Sequence, residues 1–293
     1  MTTTVPKELV HRAAVAEVLL TDWVRIDENR FTVFAQWPRS HSFFTPLHGG
    51  YHDPLIAAET IRQVGALLAH AEFEVPLARH FLMWDLEVAV RPEEMLVGDT
   101  PASLEIDVLC TEVKVRGGQL AALRYETVLR QDGQVVATGG ASYTCVSQPV
   151  YQRLRGEQLT EGGQRVLPLT APTAPQNVGR MSPMDVVLSP IGEPNRWQLR
   201  VDTRHPVLFD HPTDHVPGML MVEAARQASH AALGAPAVLP LTVACEFTRF
   251  VELDSPCYIQ ADQLPRSGPE DGVCVMVTGS QNGEQVFSAI VTA

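Results

Sequence analysis

PLIAAETIRQ at 54–63 and GMLMVEAARQ at 218–227, aligned without gaps, share Glu59/Glu223, Arg62/Arg226 and Gln63/Gln227. An acid–arginine–glutamine set that recurs at the same spacing marks an internal repeat. Features on either side extend the repeat in the same order. Upstream, Val10-His11-Arg12 resembles Val178-Gly179-Arg180, and the pattern of Arg30, Phe31, Val33 and Ala35 resembles that of Arg196, Trp197, Leu199 and Val201. Downstream, Asp132-Gly133 and Asn282-Gly283 each stand between alternating apolar segments, the signal of a tight two-residue hairpin. The chain reads as two copies of one fold, at 1–147 and 178–293. Residues 148–177 hold Gly162-Gly163 and prolines at 149, 168, 172 and 175. They read as a linker.

Each copy begins with a short strand, about 30–37 and about 196–202, followed by a loop rich in proline and histidine. A helix comes next. In the first copy Asp53 is a suitable N-cap and Pro54 suits the first helical position. Ile56, Thr60, Ile61, Val64, Leu67 and Leu68 then recur at helical spacing. In the second copy the helix starts near Pro217 and runs to Leu233, with Gly234 as the residue that ends it. Only strands follow: about 81–90, 102–115, 119–130 and 134–146, then 239–251, 257–262, 272–280 and 284–292. One helix and a run of antiparallel strands make an α+β arrangement. Small residues on the helices, such as Ala57, Ala58, Ala224, Ala225 and Ala228, let a sheet curl closely around them. The expected architecture is a double hotdog.

Composition narrows the function. The 293 residues carry 22 Lys and Arg against 34 Asp and Glu, a net charge of −12. So acidic a chain is a poor binder of nucleic acid or anionic membranes. The five cysteines form no C-x-x-C pair, which argues against a zinc site and a disulfide framework. The start MTTTVPKELVHR has no apolar core of a secretory signal, and no apolar run is long enough to span a bilayer. A cytoplasmic protein is expected.

HPVLFDHPTDHVPGMLMVEAARQ at 205–227 resembles the active-site segment of hotdog dehydratases of the β-hydroxyacyl-carrier-protein type. The matching residues are His211, Pro217-Gly218, Glu223 and Gln227. The gap between His211 and Pro217 is two residues shorter than in those enzymes, and Arg226 replaces a small residue. QWPRSHSFF at 36–44, HDPLIAAETIRQVG at 52–65, HFLMWDL at 80–86 and FDHPTDHVPGM at 209–219 resemble the A-factor synthase family more closely, across both copies. That resemblance implies a β-ketoacyl transferase. The acyl group would pass from an acyl carrier protein thioester to the hydroxyl of dihydroxyacetone phosphate. Condensation to a phosphorylated butenolide would follow, on the way to a γ-butyrolactone, butenolide or furan signal. It implies no metal and no cofactor.

That chemistry needs an acyl pocket, a donor for the thioester oxygen, a base and a phosphate-binding cation. Apolar helix faces are the expected pocket lining. The start of the second helix offers amide N–H groups to a developing oxyanion, and Gly218 lets a thioester approach the backbone. Glu59 and Glu223 are the candidate bases, with burial expected to raise their pKa into a useful range. Arg62 and Arg226, one turn on, are candidates for the phosphate, against the plainer reading of exposed helix ion pairs. Gln63 and Gln227 are expected as support, satisfying buried carbonyls or orienting the acids. His211 is the best catalytic histidine of the His205, His211, His215 loop. That loop also carries Asp210 and Asp214, more often turn caps than metal ligands. His48 and His52 occupy the corresponding loop of the first copy, and His41 reads equally well as structural. Arg153, Arg155 and Arg165 are candidates for docking a carrier, against the plainer reading of a solvated linker. Two other assignments remain: a hotdog dehydratase or thioesterase using His211 and Glu223, and a non-catalytic acyl-ligand-binding regulator.

Overall fold

The computed structural model describes residues 3–45, 49–159, 166–234, 239–265 and 272–293. His48, Gly162-Gly163 and Arg165 lie outside the described residues. The chain divides into two compact units, one running to Thr45 and from Gly50 to Leu154, the other including Arg155–Ala293.

In the first unit β1 (Leu20–Arg25) and β2 (Arg30–Trp37) precede α1 (Pro54–Ala71). After it come β3 (His80–Val90), β4 (Ala102–Arg116), β5 (Gln119–Gln131) and β6 (Gln134–Val146). All pair antiparallel, in the order β1-β2-β4-β5-β6-β3. Along β4 the side chains of Leu104, Ile106, Val108 and Cys110 are buried while Glu105, Asp107 and Leu109 are exposed, so one face of the sheet forms the core.

The sheet wraps α1 so fully that all its residues except Arg62 and Ala71 are buried. Leu55, Ile56, Ile61, Val64, Leu67 and Leu68 are completely inside, each contributing about 1.5–3 kcal/mol of burial. Asp53 caps the helix as the sequence suggests, its Oδ1 accepting from the Leu55 amide at 2.9 Å. At Gly139 a Cβ would collide with the Glu87 carbonyl and lie 2.8 Å from Ile61 Cδ1. The bare backbone lets β6 lie against the helix. Tyr125 and Tyr143 each donate a hydroxyl hydrogen bond from the sheet to helix carbonyls, at Ile61 and Gly65, both 2.7 Å long.

A helix not anticipated in the linker, α2 (Gln148–Arg155), follows β6. At eight residues it is too short to be stable through its own propensity. Tyr151 holds it by stacking on His80, ring centroids 3.8 Å apart.

The second unit repeats the plan. Its elements are β7 (Leu188–Pro190), β8 (Arg196–Leu199), α3 (Gly218–Leu233), β9 (Thr242–Phe247), β10 (Cys257–Gln263), β11 (Cys274–Gln281) and β12 (Glu284–Thr292). Their order, β7-β8-β10-β11-β12-β9, matches that of the first unit strand for strand. The fold is a double hotdog. At the hairpins, Asp132 and Gly133 have φ of 49° and 80°, Asn282 and Gly283 54° and 80°. Both central residues are left-handed, as the primed turn requires. The expected strands at 196–202 and 239–251 are shorter in the structure. After Leu199 one more bond in the β7–β8 register, from the Arg200 amide to the Val187 carbonyl, closes the strand. After Phe247 the Thr248 and Arg249 amides share the Val286 carbonyl.

Candidate active site

Glu59 on α1 and Glu223 on α3 are buried, 1% and 0% exposed, and each lies between two arginines. Glu59 accepts from Arg62 at 2.9 and 2.8 Å and from Arg12 at 3.0 Å. Glu223 accepts from Arg226 at 2.9 and 2.7 Å and from Arg180 at 2.8 and 2.6 Å. Gln63 and Gln227 donate to the same carboxylates. Each glutamine also donates to a carbonyl, of Glu17 or Asp185, and accepts from an amide, of Leu19 or Val187. Both roles expected of the glutamines are present together.

Arg12 and Arg180 were not among the sequence candidates. They are remote from the helices in the chain, and the signal for them was the aligned Val10-His11-Arg12 and Val178-Gly179-Arg180. Those triplets form matching left-handed turns, with φ of 53° at His11 and 68° at Gly179. A Cβ on Gly179 would lie 3.0 Å from His230 Nδ1 and 3.1 Å from Arg226 Nη1, so glycine makes room for the cluster.

The expected rise in carboxyl pKa is reversed. Burial pushes Glu59 up, but the charges of Arg12 and Arg62 and their hydrogen bonds outweigh it and hold the group at about 2. Arg180 and Arg226 do the same to Glu223, also at about 2. A carboxylate so stabilised is a weak base. Nor are these exposed helix pairs: side-chain exposure is 16% for Arg62 and 7% for Arg226.

His41 and His205 are equivalent and structural. His41 Nδ1 accepts from the Phe43 and Phe44 amides, and His205 Nδ1 from the Val207 and Leu208 amides. The proton therefore sits on Nε2, facing Glu17 in one unit and Asp185 in the other. His52 is buried beside Trp37, ring centroids 5.3 Å apart, and burial lowers its pKa.

The loop before α3 is different. His211 Nδ1 lies 3.2 Å from Asp210 Oδ2, and its side chain is 46% exposed. His215 Nδ1 lies 2.8 Å from Asp214 Oδ1, with 30% exposure. The loop ends at Pro217, which gives α3 no side-chain cap, unlike Asp53 at α1. A Cβ on Gly218 would make ordinary contact with Phe247 at 3.4 Å, and its φ is not positive. Neither backbone strain nor crowding demands glycine there. Among the described residues no cluster of three or more His, Cys, Asp or Glu side chains is arranged to hold a metal.

Two further expectations change. Arg155 is buried rather than solvated, its guanidinium bonded to Asp214 and Glu252, and so is not available to dock a carrier; Arg153 is exposed. The apolar faces of α1 and α3 are covered by their own sheets. A pocket of the second unit, lined by Leu167, Leu199, Val251, Leu253 and Cys257 among others, contains no residue of either helix.

Fold and site together define a double hotdog protein with a buried Arg–Glu–Arg cluster in each copy and paired Asp–His residues before the second helix. The A-factor biosynthesis hotdog domain model matches residues 1–147 and 163–293. The chain belongs to the A-factor biosynthesis hotdog family. It is 57% identical over 291 residues to a 2-oxo-3-(phosphooxy)propyl 3-oxoalkanoate synthase of Streptomyces virginiae, covering 99% of this chain and 98% of that one. It is 43% identical over 284 residues to a synthase of the same name from Streptomyces coelicolor, covering 97% and 89%. Among solved structures it is similar to an acyl-ACP thioesterase from Bacteroides thetaiotaomicron. The TM-score is 0.52 at 9% identity, covering 89% and 97% of the chains, a likeness of fold alone.

Proposed function

We propose that this protein is an acyltransferase that joins a 3-oxoalkanoyl group to the hydroxyl of dihydroxyacetone phosphate. The carrying observation is the full-length relationship at 57% identity to a synthase whose name describes that ester. The hydroxyl oxygen attacks a thioester carbonyl, a C–O bond forms, the C–S bond breaks, and the proton ends on the released thiol. The donor in this reading is an acyl carrier protein thioester. The ester then closes, its acyl C2 adding to the triose ketone with loss of one water, to give a phosphorylated butenolide. No helix of the described residues is long and apolar enough to cross a membrane.

The uncapped start of α3 supports a place for the thioester. Its first amides and the positive end of the helix suit the oxygen that gains charge in the transition state. Gly218 admits the thioester closely. Glu59 and Glu223 are positioning residues in this reading, holding the arginine side chains in place. Arg226, on the same helix as Gly218 and with a side chain 7% exposed, is assigned to the phosphate, and Arg62 is its counterpart in the first copy. Gln63 and Gln227 support the helix surroundings. Proton transfer falls to the Asp–His loop.

The test is mass spectrometry of the purified protein with a 3-oxoacyl thioester, carrier-bound or as a short pantetheine mimic, with and without dihydroxyacetone phosphate. The phosphorylated ester or its butenolide, formed only when both are present, is the expected product. Free acid at the same rate with or without the triose would overturn the reading in favour of a thioesterase. A preference for the carrier-bound thioester over the mimic in kcat/KM is expected if the carrier is the donor.

A further inference from the structure

We propose that His215 is the acid–base residue of the acyl transfer and that Asp214 and Arg155 are its positioning residues. The inference deepens the reading above and rests on it. It differs from the dehydratase-like assignment, which points to His211.

The argument starts at Arg155. Its side chain is 2% exposed, and its guanidinium donates to two carboxylates and a carbonyl. Nε donates to Asp214 Oδ2 at 3.0 Å and Nη2 to the Asp214 carbonyl at 2.9 Å. Nη1 and Nη2 make a two-pronged contact with Glu252, at 2.5 and 2.8 Å. A buried arginine with this many acceptors is a rigid strut, since removing it would strand two carboxylates. It fixes one oxygen of Asp214, and the other meets His215 Nδ1 at 2.8 Å. The His215 ring also packs at 73° against Phe250, centroids 4.9 Å apart. Phe250 in turn carries the Arg155 guanidinium 4.3 Å from its ring centre. A backbone bond from the Val216 amide to the Val251 carbonyl, 2.9 Å, clips the same stretch.

The imidazole is thus oriented by a carboxylate and a ring that share one buried cation. With Nδ1–H donated to Asp214, the nitrogen able to accept a proton is Nε2. His211 has a looser version of this arrangement, at 3.2 Å and with greater exposure. His215 precedes Gly218 by three residues, so their Cα atoms are at most about 11 Å apart.

The pair is not repeated at the aligned positions of the first copy. In the gapless register of the repeat, Asp214 and His215 align with Gly50 and Tyr51. Acid–base chemistry is therefore placed in the second copy. His215 Nε2 takes the triose hydroxyl proton as its oxygen attacks the thioester carbon. The C–S bond then breaks, and the imidazolium returns the proton to sulfur. The products are ester and thiol, and no oxidant, reductant or cofactor is consumed.

The test measures ester formation by the full chain from the pantetheine thioester and dihydroxyacetone phosphate. His215→Ala is expected to lower kcat by roughly 10²–10⁴-fold with an unchanged melting temperature. Added imidazole should restore part of the rate above the enzyme-free blank. Arg155→Lys is expected to lower kcat by about 10–100-fold with little change in thioester KM. Wild-type turnover with full activity in His215→Ala overturns the inference and leaves the proposed function standing. So does a loss that imidazole does not restore, or an imidazole response found in His211→Ala instead. Absence of ester from the wild-type protein would instead sink the proposed function itself.

Discussion

Glu59 and Glu223 show how far a residue's chemistry depends on its neighbours. Each is surrounded by arginines whose attraction exceeds the cost of burial, so each carboxyl falls from 4.5 to about 2. The linkage has a definite sign. A depressed folded pKa contributes stability that is present above the unfolded value, near 4.5, and is lost as pH falls towards 2. Urea unfolding of the wild-type protein should weaken across that window. Glu59→Gln and Glu223→Gln should each flatten that dependence. Each should also destabilise the protein at neutral pH by about 3–5 kcal/mol, because two largely buried arginine side chains lose their counter-charge. Unchanged stability with lost turnover would return these acids to the role of bases.

The two helices are alike in length and burial but differ at their starts. Asp53 caps α1 through the Leu55 amide, whereas Pro217 leaves α3 without a side-chain cap. Asp53→Ala should cost about 1 kcal/mol of stability, read by urea unfolding. Gly218→Ala should behave in the opposite way. Its methyl meets only Phe247 at ordinary contact distance, so the melting temperature should hold. Ester formation should fall because the added carbon stands where the thioester approaches. Equal turnover in this variant would remove the helix start from the mechanism.

Across the whole molecule, four of the five cysteines are buried and Cys274 is partly exposed. Burial pushes the Cys110, Cys145 and Cys257 thiols up to about 12, and Cys245 is raised by the same cause. A thiol reagent at pH 8 should therefore label Cys274 first, with the remaining four reacting only as the protein unfolds. Rapid labelling of two or more thiols in the native protein would contradict the packing. Both hairpins, both helices and most strands were legible because the repeat supplied each element twice. The strand β7 has three residues and β1 a mixed pattern, so neither had a period to read. The helix α2 carries no long apolar stripe and is held by Tyr151 against His80, a contact between distant parts of the chain.

The sequence by itself determined the doubled α+β plan, the capped helix at Asp53, the Asp-Gly and Asn-Gly turns, and the Glu–Arg–Gln sets. These rest on local periodicity, turn stereochemistry and repetition, all of which lie along the chain. Only the tertiary structure decided what the sets do. Arg12 and Arg180 arrive from segments more than forty residues away, and they turn an expected base into an anchored anion. Arg155, read as part of a solvated linker, is buried against Asp214 and Glu252. The sign of a pKa shift and the burial of a charge depend on groups brought together by folding, and no spacing along the chain contains them.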